Sequence, residues 1–510
     1  EKSIENFYDE NGRAIYSYGQ QESGITTYKK NNKYNLPEKV EDYLGNIQEN
    51  EYTHVPKEYQ IETEGNWKVT KSRAKLGKET FEQEREYDDE TWNLIKEIDN
   101  EGKETKYSYG ETEKVEKEES SVEIEKDKEG RIISYKFTYP KVYDAPLINE
   151  QRYEKDLLSR TWASYREEEK DKLIYEYDEY QRLKRIKTEK GILVNEFTYD
   201  ENDQVLSTKT GTSETSFSYD EYGRLISDSL KDESYSYDNF GNILTKRRGD
   251  KFYQYLYEDN LLKEIRNNKE SIKIEYGTSL YPKKIIRTKD NNEENIELNY
   301  IGRRLEKVEV GGKEYKYTYD DQGQRIKKEG NGKEEYYFYE EGRIKEVITK
   351  EYRLIYRYVG EEVKGVTYKN ENKEISYFYE KNILGEIIGI VDEEGKRVVE
   401  YRSSSYGEVE NIHDNSKIEI SAKDHLRYKG YIYDEETRLY YLKTRYYDPE
   451  IGRFISPDSI DYQSPESING LNLYAYCGND PINMVDPTGH FAISLLVGLA
   501  VSFVIGSLSS

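Results

Sequence analysis

A tyrosine-containing repeat, Y-x-Y-D-x-x-G-R-L/I, is the feature that most constrains the fold of this chain. It is clearest at residues 219–225 (YDEYGRL) and 237–243 (YDNFGNI). Equivalent tyrosines recur every 18 to 24 residues, at Tyr177, Tyr199, Tyr219, Tyr237, Tyr257, Tyr276, Tyr300, Tyr319, Tyr339, Tyr358, Tyr379 and Tyr401. A period of this length over more than two hundred residues indicates one extended repeat array.

Each repeat unit is predicted to be a β-hairpin. Segments such as FSYD, YSYD, YTYD and YFYE alternate aromatic side chains with a period of two, as a strand requires. The Asp or Glu starts a turn, Gly supplies positive φ, and Arg-Leu or Arg-Ile begins the return strand. The unit is degraded before Tyr177, although residues 8–13, 43–47 and 127–133 keep its turn. We expect stacked hairpins and an all-β fold, including an exposed hairpin in the charge-dense run 111–129.

The composition narrows the class of protein further. There are 54 Tyr against 12 Phe and 3 Trp, and only 34% of residues are hydrophobic, which favours a thin β wall over a thick core. The formal charge of −25 argues against nucleic-acid binding by this wall. It fits either a solvated acidic surface or an acidic interior suited to a basic cargo. Cys477 is the only cysteine, so no internal disulfide is expected.

Most signatures of catalysis are missing from the sequence. His54, His413, His425 and His490 show no metal-ligand spacing, and neither a Walker motif nor a nucleophile elbow is present. We expect no metal and no cofactor, and a chemically inert repeat. No signal peptide is visible, and we expect the sequence to be a piece of a longer protein.

The C-terminal part carries a specific resemblance. The run GYIYDEETRLYYLKTRYYDPEIGRF (430–454), the segment NLYAY (472–476) and the ending PINMVDPTGH (481–490) resemble the core of the Rhs and YD-repeat polymorphic toxin family, with Gram-positive wall-associated members especially similar. The resemblance implies a strip of hairpins spiralling into a hollow shell over residues 1–420. It implies an Rhs core domain, or plug, over residues 421–490. Residues 491–510 would then begin the toxin or a translocation segment.

The same resemblance implies a self-cleavage site. Asp458 and Asp486 match the two aspartates of an aspartyl-protease-like pair, which would cut the chain between His490 and Phe491. Two carboxylates held close together cannot both ionise easily, so one can stay protonated while the other activates water. Arg453 could orient a carboxylate or stabilise an oxyanion, or it could form an ion pair within the plug. Without cleavage, the segment DPTG would serve as a turn.

The resemblance implies a shell that houses and delivers its own C-terminal toxin in competition between bacteria, at the cell surface or after secretion. An immunity protein and a delivery apparatus would be partners. Residues 491–510 carry no charge and are long enough to span a bilayer, so we expect either an apolar helix inside the shell or a membrane-inserting leader. Two alternatives remain: a surface adhesion or carbohydrate-binding protein, and a bare scaffold without proteolysis.

Overall fold

A computed structural model of the chain describes most residues from position 67 onward and shorter stretches before it. The described residues are 4–8, 14–19, 25–31, 36–41, 47–55, 67–76, 79–99, 102–110, 112–117, 120–128, 132–142, 145–154, 157–166, 169–188, 190–277, 279–320, 323–340, 342–359, 362–382, 384–458, 472–490 and 492–494.

A single antiparallel strip dominates the described residues. Its 38 strands follow one another in the sheet in chain order, because each strand pairs with the next. We call these strands the strip. The irregular first half comprises β1 to β15: Ile4–Tyr8, Ala14–Gly19, Ile25–Asn31, Pro37–Glu41, Ile47–His54, Trp67–Leu76, Glu79–Tyr87, Leu94–Ile98, Glu104–Ser108, Thr112–Lys117, Ser120–Lys126, Ile132–Val142, Ala145–Glu154, Leu157–Arg166 and Glu169–Tyr177.

The regular half comprises β16 to β38: Leu183–Thr188, Leu193–Tyr199, Val205–Thr210, Ser213–Tyr219, Leu225–Asp228, Glu233–Tyr237, Ile243–Arg248, Lys251–Glu258, Leu261–Arg266, Glu270–Tyr276, Pro282–Lys289, Asn292–Ile301, Arg304–Val310, Lys313–Tyr319, Arg325–Gly330, Lys333–Glu340, Arg343–Thr349, Arg353–Val359, Glu362–Asn370, Lys373–Lys381, Ile387–Val391, Arg397–Ser403 and Val409–Asp414.

The chain then turns into smaller elements, which we call the core segment (residues 421–490). A five-stranded antiparallel sheet contains β39 to β43: Leu426–Arg427, Tyr431–Asp434, Leu439–Leu442, Arg445–Asp448 and Arg453–Phe454. A last pair joins β44 (Met484–Val485) to β45 (Ile493–Ser494), and the described 3-10 helices are Ile420–Ala422 and Cys477–Asn479.

The repeated turn has the chemistry predicted for it. At the turn from β19 to β20, Asp220 Oδ1 accepts hydrogen bonds from the backbone N–H groups of Tyr222 (2.9 Å) and Arg224 (3.0 Å). Gly223 sits at φ +75°, and Arg224 Nε donates to Asp220 Oδ2 at 2.6 Å. The Asp and the Arg of each full repeat therefore close one turn between them.

The repeat tyrosine joins neighbouring units. In several units its hydroxyl donates to the backbone carbonyl at or near the start of the return strand of the preceding unit, as Tyr199 does to Leu183 (2.6 Å) and Tyr319 to Leu305 (2.6 Å). Equivalent bonds are made by Tyr87, Tyr219, Tyr237, Tyr257 and Tyr339. A β-bulge precedes each of these tyrosines. We call this contact the tyrosine clasp.

The core segment packs against one face of the strip. The four residues of β40, of β41 and of β42 are all buried, and the hydrophobic ones among them share one cluster with residues of the strip and its turns from Tyr175 to Tyr406. Arg325 on β30 forms two hydrogen bonds with Asp434, at 2.6 and 3.0 Å, and both side chains are fully buried. Burial of this kind is stable only because the two charges pair.

The predicted all-β architecture of repeated hairpins is confirmed, and so is the hairpin in the run 111–129, where β10 pairs with β11. The predicted boundary at residue 420 falls in the 3-10 helix between β38 and β39, and the division into domains stays a prediction. Of the apolar tail, Ala492–Ser494 are described, and they are extended rather than helical because Ile493 and Ser494 pair with β44. The rest of the tail lies outside the described residues.

Candidate functional site

The turn that ends the core segment is built around Asp486. Its Oδ1 accepts hydrogen bonds from the backbone N–H groups of Thr488 (3.3 Å), Gly489 (2.8 Å) and His490 (3.2 Å). The backbone N–H of Asp486 in turn donates to the Tyr431 hydroxyl at 2.9 Å. A short carboxylate side chain that binds its own following N–H groups is the local reason for the turn.

Gly489 lets this turn lie directly against the hairpin between β41 and β42. Its φ is +80°, and a Cβ there would lie 2.6 Å from the Leu442 carbonyl oxygen and 2.7 Å from Thr444 Oγ1. Thr444 Oγ1 also donates to the Thr488 carbonyl at 2.8 Å. A glycine is therefore required both by the backbone conformation and by the close approach.

Arg445, at the start of β42, connects the two aspartates predicted from the sequence. Its Nη2 lies 2.9 Å from Asp458 Oδ2 and 3.8 Å from Asp486 Oδ2. Because one nitrogen spans both distances, the two carboxylate oxygens are less than about 7 Å apart. The structure therefore brings Asp458 and Asp486 together, with a guanidinium between them.

The rest of the Arg445 side chain is held on all sides. Nε donates to the Gly489 carbonyl oxygen, and Nη1 donates to the Leu473 carbonyl at 2.8 Å. The guanidinium carbon lies 3.6 Å from the ring centroid of Phe454. A planar group fixed in this way holds the two carboxylates in one geometry.

The site is almost closed to solvent. The side chains of Arg445 and Asp458 are each 6% exposed, and that of Asp486 is 3% exposed. Burial raises the pKa of Asp486 above its ordinary value, although Arg445 and the three backbone N–H groups oppose this. Burial likewise lowers the pKa of the Arg445 guanidinium to about 10, with the nearby carboxylates opposing. Asp486 is thus the carboxyl that protonates more readily than an ordinary aspartate.

His490, on the N-terminal side of the predicted cleavage bond, also lies at this site. Its Nδ1 is 2.6 Å from Asp458 Oδ1, and its backbone N–H faces Asp486. Phe491, on the other side of that bond, lies outside the described residues.

Arg453, the cation predicted from the sequence, lies in a different environment. Its Nη1 is 3.3 Å from the Tyr257 hydroxyl and 3.5 Å from Asn242 Oδ1, and its guanidinium stacks 4.5 Å from the Tyr474 ring centroid. The position expected for Arg453 beside the aspartates is taken by Arg445. The physical reason is that the tight turn before Arg453 directs it toward the strip, whereas the β41–β42 hairpin places Arg445 against the terminal turn.

Sequence reasoning missed Arg445 because its surroundings, Thr444 and Tyr446, look like any other stretch of alternating strand. Nothing local separates it from Arg438 or Arg453. Its place beside the DPTG segment depends on how the β41–β42 hairpin packs, which the sequence does not show.

No group of histidine, cysteine, aspartate or glutamate side chains that could hold a metal ion is found among the described residues. The described part of the chain also contains no helix with the length and apolar character needed to cross a bilayer.

Comparison with known proteins finds one family and several curated relatives that match parts of this chain. The Teneurin YD-shell family matches residues 287–482. The tRNA nuclease WapA of Bacillus subtilis strain 168 is 36% identical over 183 residues, covering 34% of this chain and 7% of WapA. The double-stranded DNA deaminase toxin A of Burkholderia cenocepacia strain H111 is 35% identical over 101 residues, covering 20% of this chain and 6% of that toxin.

Among solved structures, the crystal structure of TcdB2-TccC3-TEV aligns with 94% of this chain and 28% of that chain, at 15% identity and a TM-score of 0.46. The likeness therefore rests on the sequence matches, in which this chain corresponds to less than a tenth of either curated relative. By those matches the chain is similar to YD-repeat proteins, and its strip of clasped hairpins is built from that repeat.

Proposed function

We propose that this chain is part of the shell of a polymorphic toxin and encloses a toxin domain that follows it. The relatives that share this region have different activities in their names, a tRNA nuclease and a DNA deaminase toxin, yet the shared region is a small part of each. A common region beside different activities is what a housing for interchangeable toxins requires. The proposal places the protein at the cell surface or outside the cell, with its own C-terminal toxin as cargo and an immunity protein as a partner.

We further propose that the shell releases its cargo by cutting the bond between His490 and Phe491. The observation that carries this proposal is the buried pair Asp458 and Asp486, both within reach of Arg445 Nη2 and both in contact with His490. Two inequivalent carboxyls beside one peptide bond are the minimum that an aspartyl-type cleavage needs.

The roles follow from the environments of the two carboxyls. Asp486, whose pKa is raised by burial, is the proton donor to the carbonyl oxygen of His490. Asp458 is the base that takes a proton from water as the water oxygen bonds to the carbonyl carbon. The bond to the Phe491 nitrogen then breaks as that nitrogen receives the proton that Asp458 took from water, Asp486 recovers its own proton as the carboxyl group of His490 forms, and one water is consumed. Arg445 keeps the two carboxyl groups at a fixed separation during these steps.

Intact mass and N-terminal sequencing of the full-length protein test this proposal, with Asp458→Asn and Asp486→Asn as variants. Asp250→Asn, at an exposed strip turn, is the matched control. We expect a fragment beginning at Phe491 in the wild type and in the control, and an uncut chain in both site variants. An uncut wild type would leave a passive shell or an adhesion protein, and a fragment that persists in either site variant would remove that aspartate from the mechanism.

A further inference from the structure

The imidazole of His490 contacts the carboxylate of Asp458, which is the base in the proposed cleavage. Its Nδ1 lies 2.6 Å from Asp458 Oδ1, a distance typical of a charge-assisted hydrogen bond. His490 therefore has two relations to the reaction. Its peptide bond would be cut, and its side chain forms a hydrogen bond with Asp458, one of the two residues that would cut it.

The other oxygen of Asp458 is also engaged, because Oδ2 lies 2.9 Å from Arg445 Nη2. Both oxygens of Asp458 therefore already have a hydrogen-bond partner, and a water that donates to either oxygen must compete with that partner. The imidazole also fills the space at Oδ1 where an attacking water would have to bind. As long as this contact persists, Asp458 cannot take a proton from water efficiently.

The backbone and the side chain of His490 are held by different groups. The backbone N–H lies 3.2 Å from Asp486 Oδ1 and 3.3 Å from Thr488 Oγ1, so the peptide stays in the site independently of the ring. The side chain is 21% exposed, which leaves a solvent-facing side toward which the ring can rotate. The ring can therefore leave Asp458 without disturbing the terminal turn.

We propose that His490 is a positioning residue that restrains cleavage of its own bond by holding Asp458. This inference rests on the proposed self-cleavage. The slow step in release is then the rotation of the imidazole away from Asp458, and a side chain that cannot bind the carboxylate removes that step.

The test follows the fraction cleaved against time by intact mass after cell-free synthesis of the full-length protein. Three variants accompany the wild type: His490→Leu, His490→Gln and His413→Leu. Leucine cannot donate to Asp458, whereas the glutamine amide can. His413 is an exposed histidine on β38 and provides the control for loss of an imidazole elsewhere.

We expect His490→Leu to cleave about tenfold faster than the wild type or more, since loss of one charged hydrogen bond corresponds to at least that factor in rate. His490→Gln should stay close to the wild-type rate, and His413→Leu should match it. The double variant Asp458→Asn with His490→Leu should remain uncut, because the effect passes through Asp458.

Each other outcome is decisive. Equal rates for wild type and His490→Leu, or a His490→Gln rate as fast as that of His490→Leu, would overturn the role of His490 and leave the self-cleavage intact. No product in any of the single variants or in the wild type would overturn both proposals together.

Discussion

The strip and the core segment are held together by contacts of different range. A tyrosine clasp joins residues 12 to 18 positions apart, and the Asp and Arg of a turn are four positions apart. The contacts of the core segment reach across the chain, from Arg325 to Asp434 and from Gln204 to Asp480, which are 109 and 276 positions apart. The strip can therefore form unit by unit, whereas the core segment needs many strands to be in place first.

The largest loss of folding stability is expected when the buried pair of Arg325 and Asp434 is broken. Arg325→Met leaves the Asp434 carboxylate buried without its bidentate partner, and should lower the free energy of unfolding by about 3–5 kcal/mol. Denaturant unfolding measures the loss. Arg73→Met, which breaks an exposed strip pair with Glu82, is the control and should change the midpoint little. Equal losses would show that the strip and the core segment do not differ in this way.

A loss of folding stability of intermediate size is expected when the pH is lowered. Burial lowers the pKa of His425 in the core segment to about 4, and its ring faces Glu335, Lys328, Asp434 and Arg325. The unfolded chain takes up this proton near pH 6.5 and the folded chain only near pH 4, so the folded state loses stability as the pH falls through that window.

The loss should reach about 3 kcal/mol at pH 4 relative to pH 7. His425→Gln should lack this component, and the difference between the two unfolding curves isolates it from the many carboxyl groups. A variant that follows the wild-type pH dependence would show that another group is responsible.

The smallest losses of folding stability are expected when a single tyrosine clasp is removed, and two clasps can be compared. Tyr199→Phe removes one hydrogen bond within the strip and should cost about 1 kcal/mol. Tyr319→Phe removes an equivalent bond and also a contact with the Tyr446 hydroxyl of the core segment, at 3.0 Å, and should cost about 2 kcal/mol. If Tyr199→Phe cost as much as Tyr319→Phe, the clasp alone would account for both losses.

The hairpins of the strip could be predicted from the sequence because their determinants are local. Alternating aromatics define each strand, and Asp, Gly and Arg define each turn, within about ten residues. The clasp itself was not predicted, because a tyrosine hydroxyl that binds a backbone carbonyl of the neighbouring unit leaves no mark on residue type.

The candidate site could be predicted only in part. The resemblance supplied Asp458 and Asp486, and the structure brings them together. It could not supply Arg445 or the contact between His490 and Asp458, because both depend on how the β41–β42 hairpin meets the terminal turn. Residues that are set by long-range packing are recognisable only once the fold is known.

The clasp has a consequence for how such chains can change in length. Each clasp hydroxyl donates to a backbone carbonyl of the adjacent unit, and every residue type provides such a carbonyl. A duplicated or deleted hairpin that has no contact with the core segment would therefore meet a compatible neighbour on both sides without any compensating substitution. Gene segments that encode whole units can be gained or lost as modules, and natural variants should differ in this region by multiples of one unit.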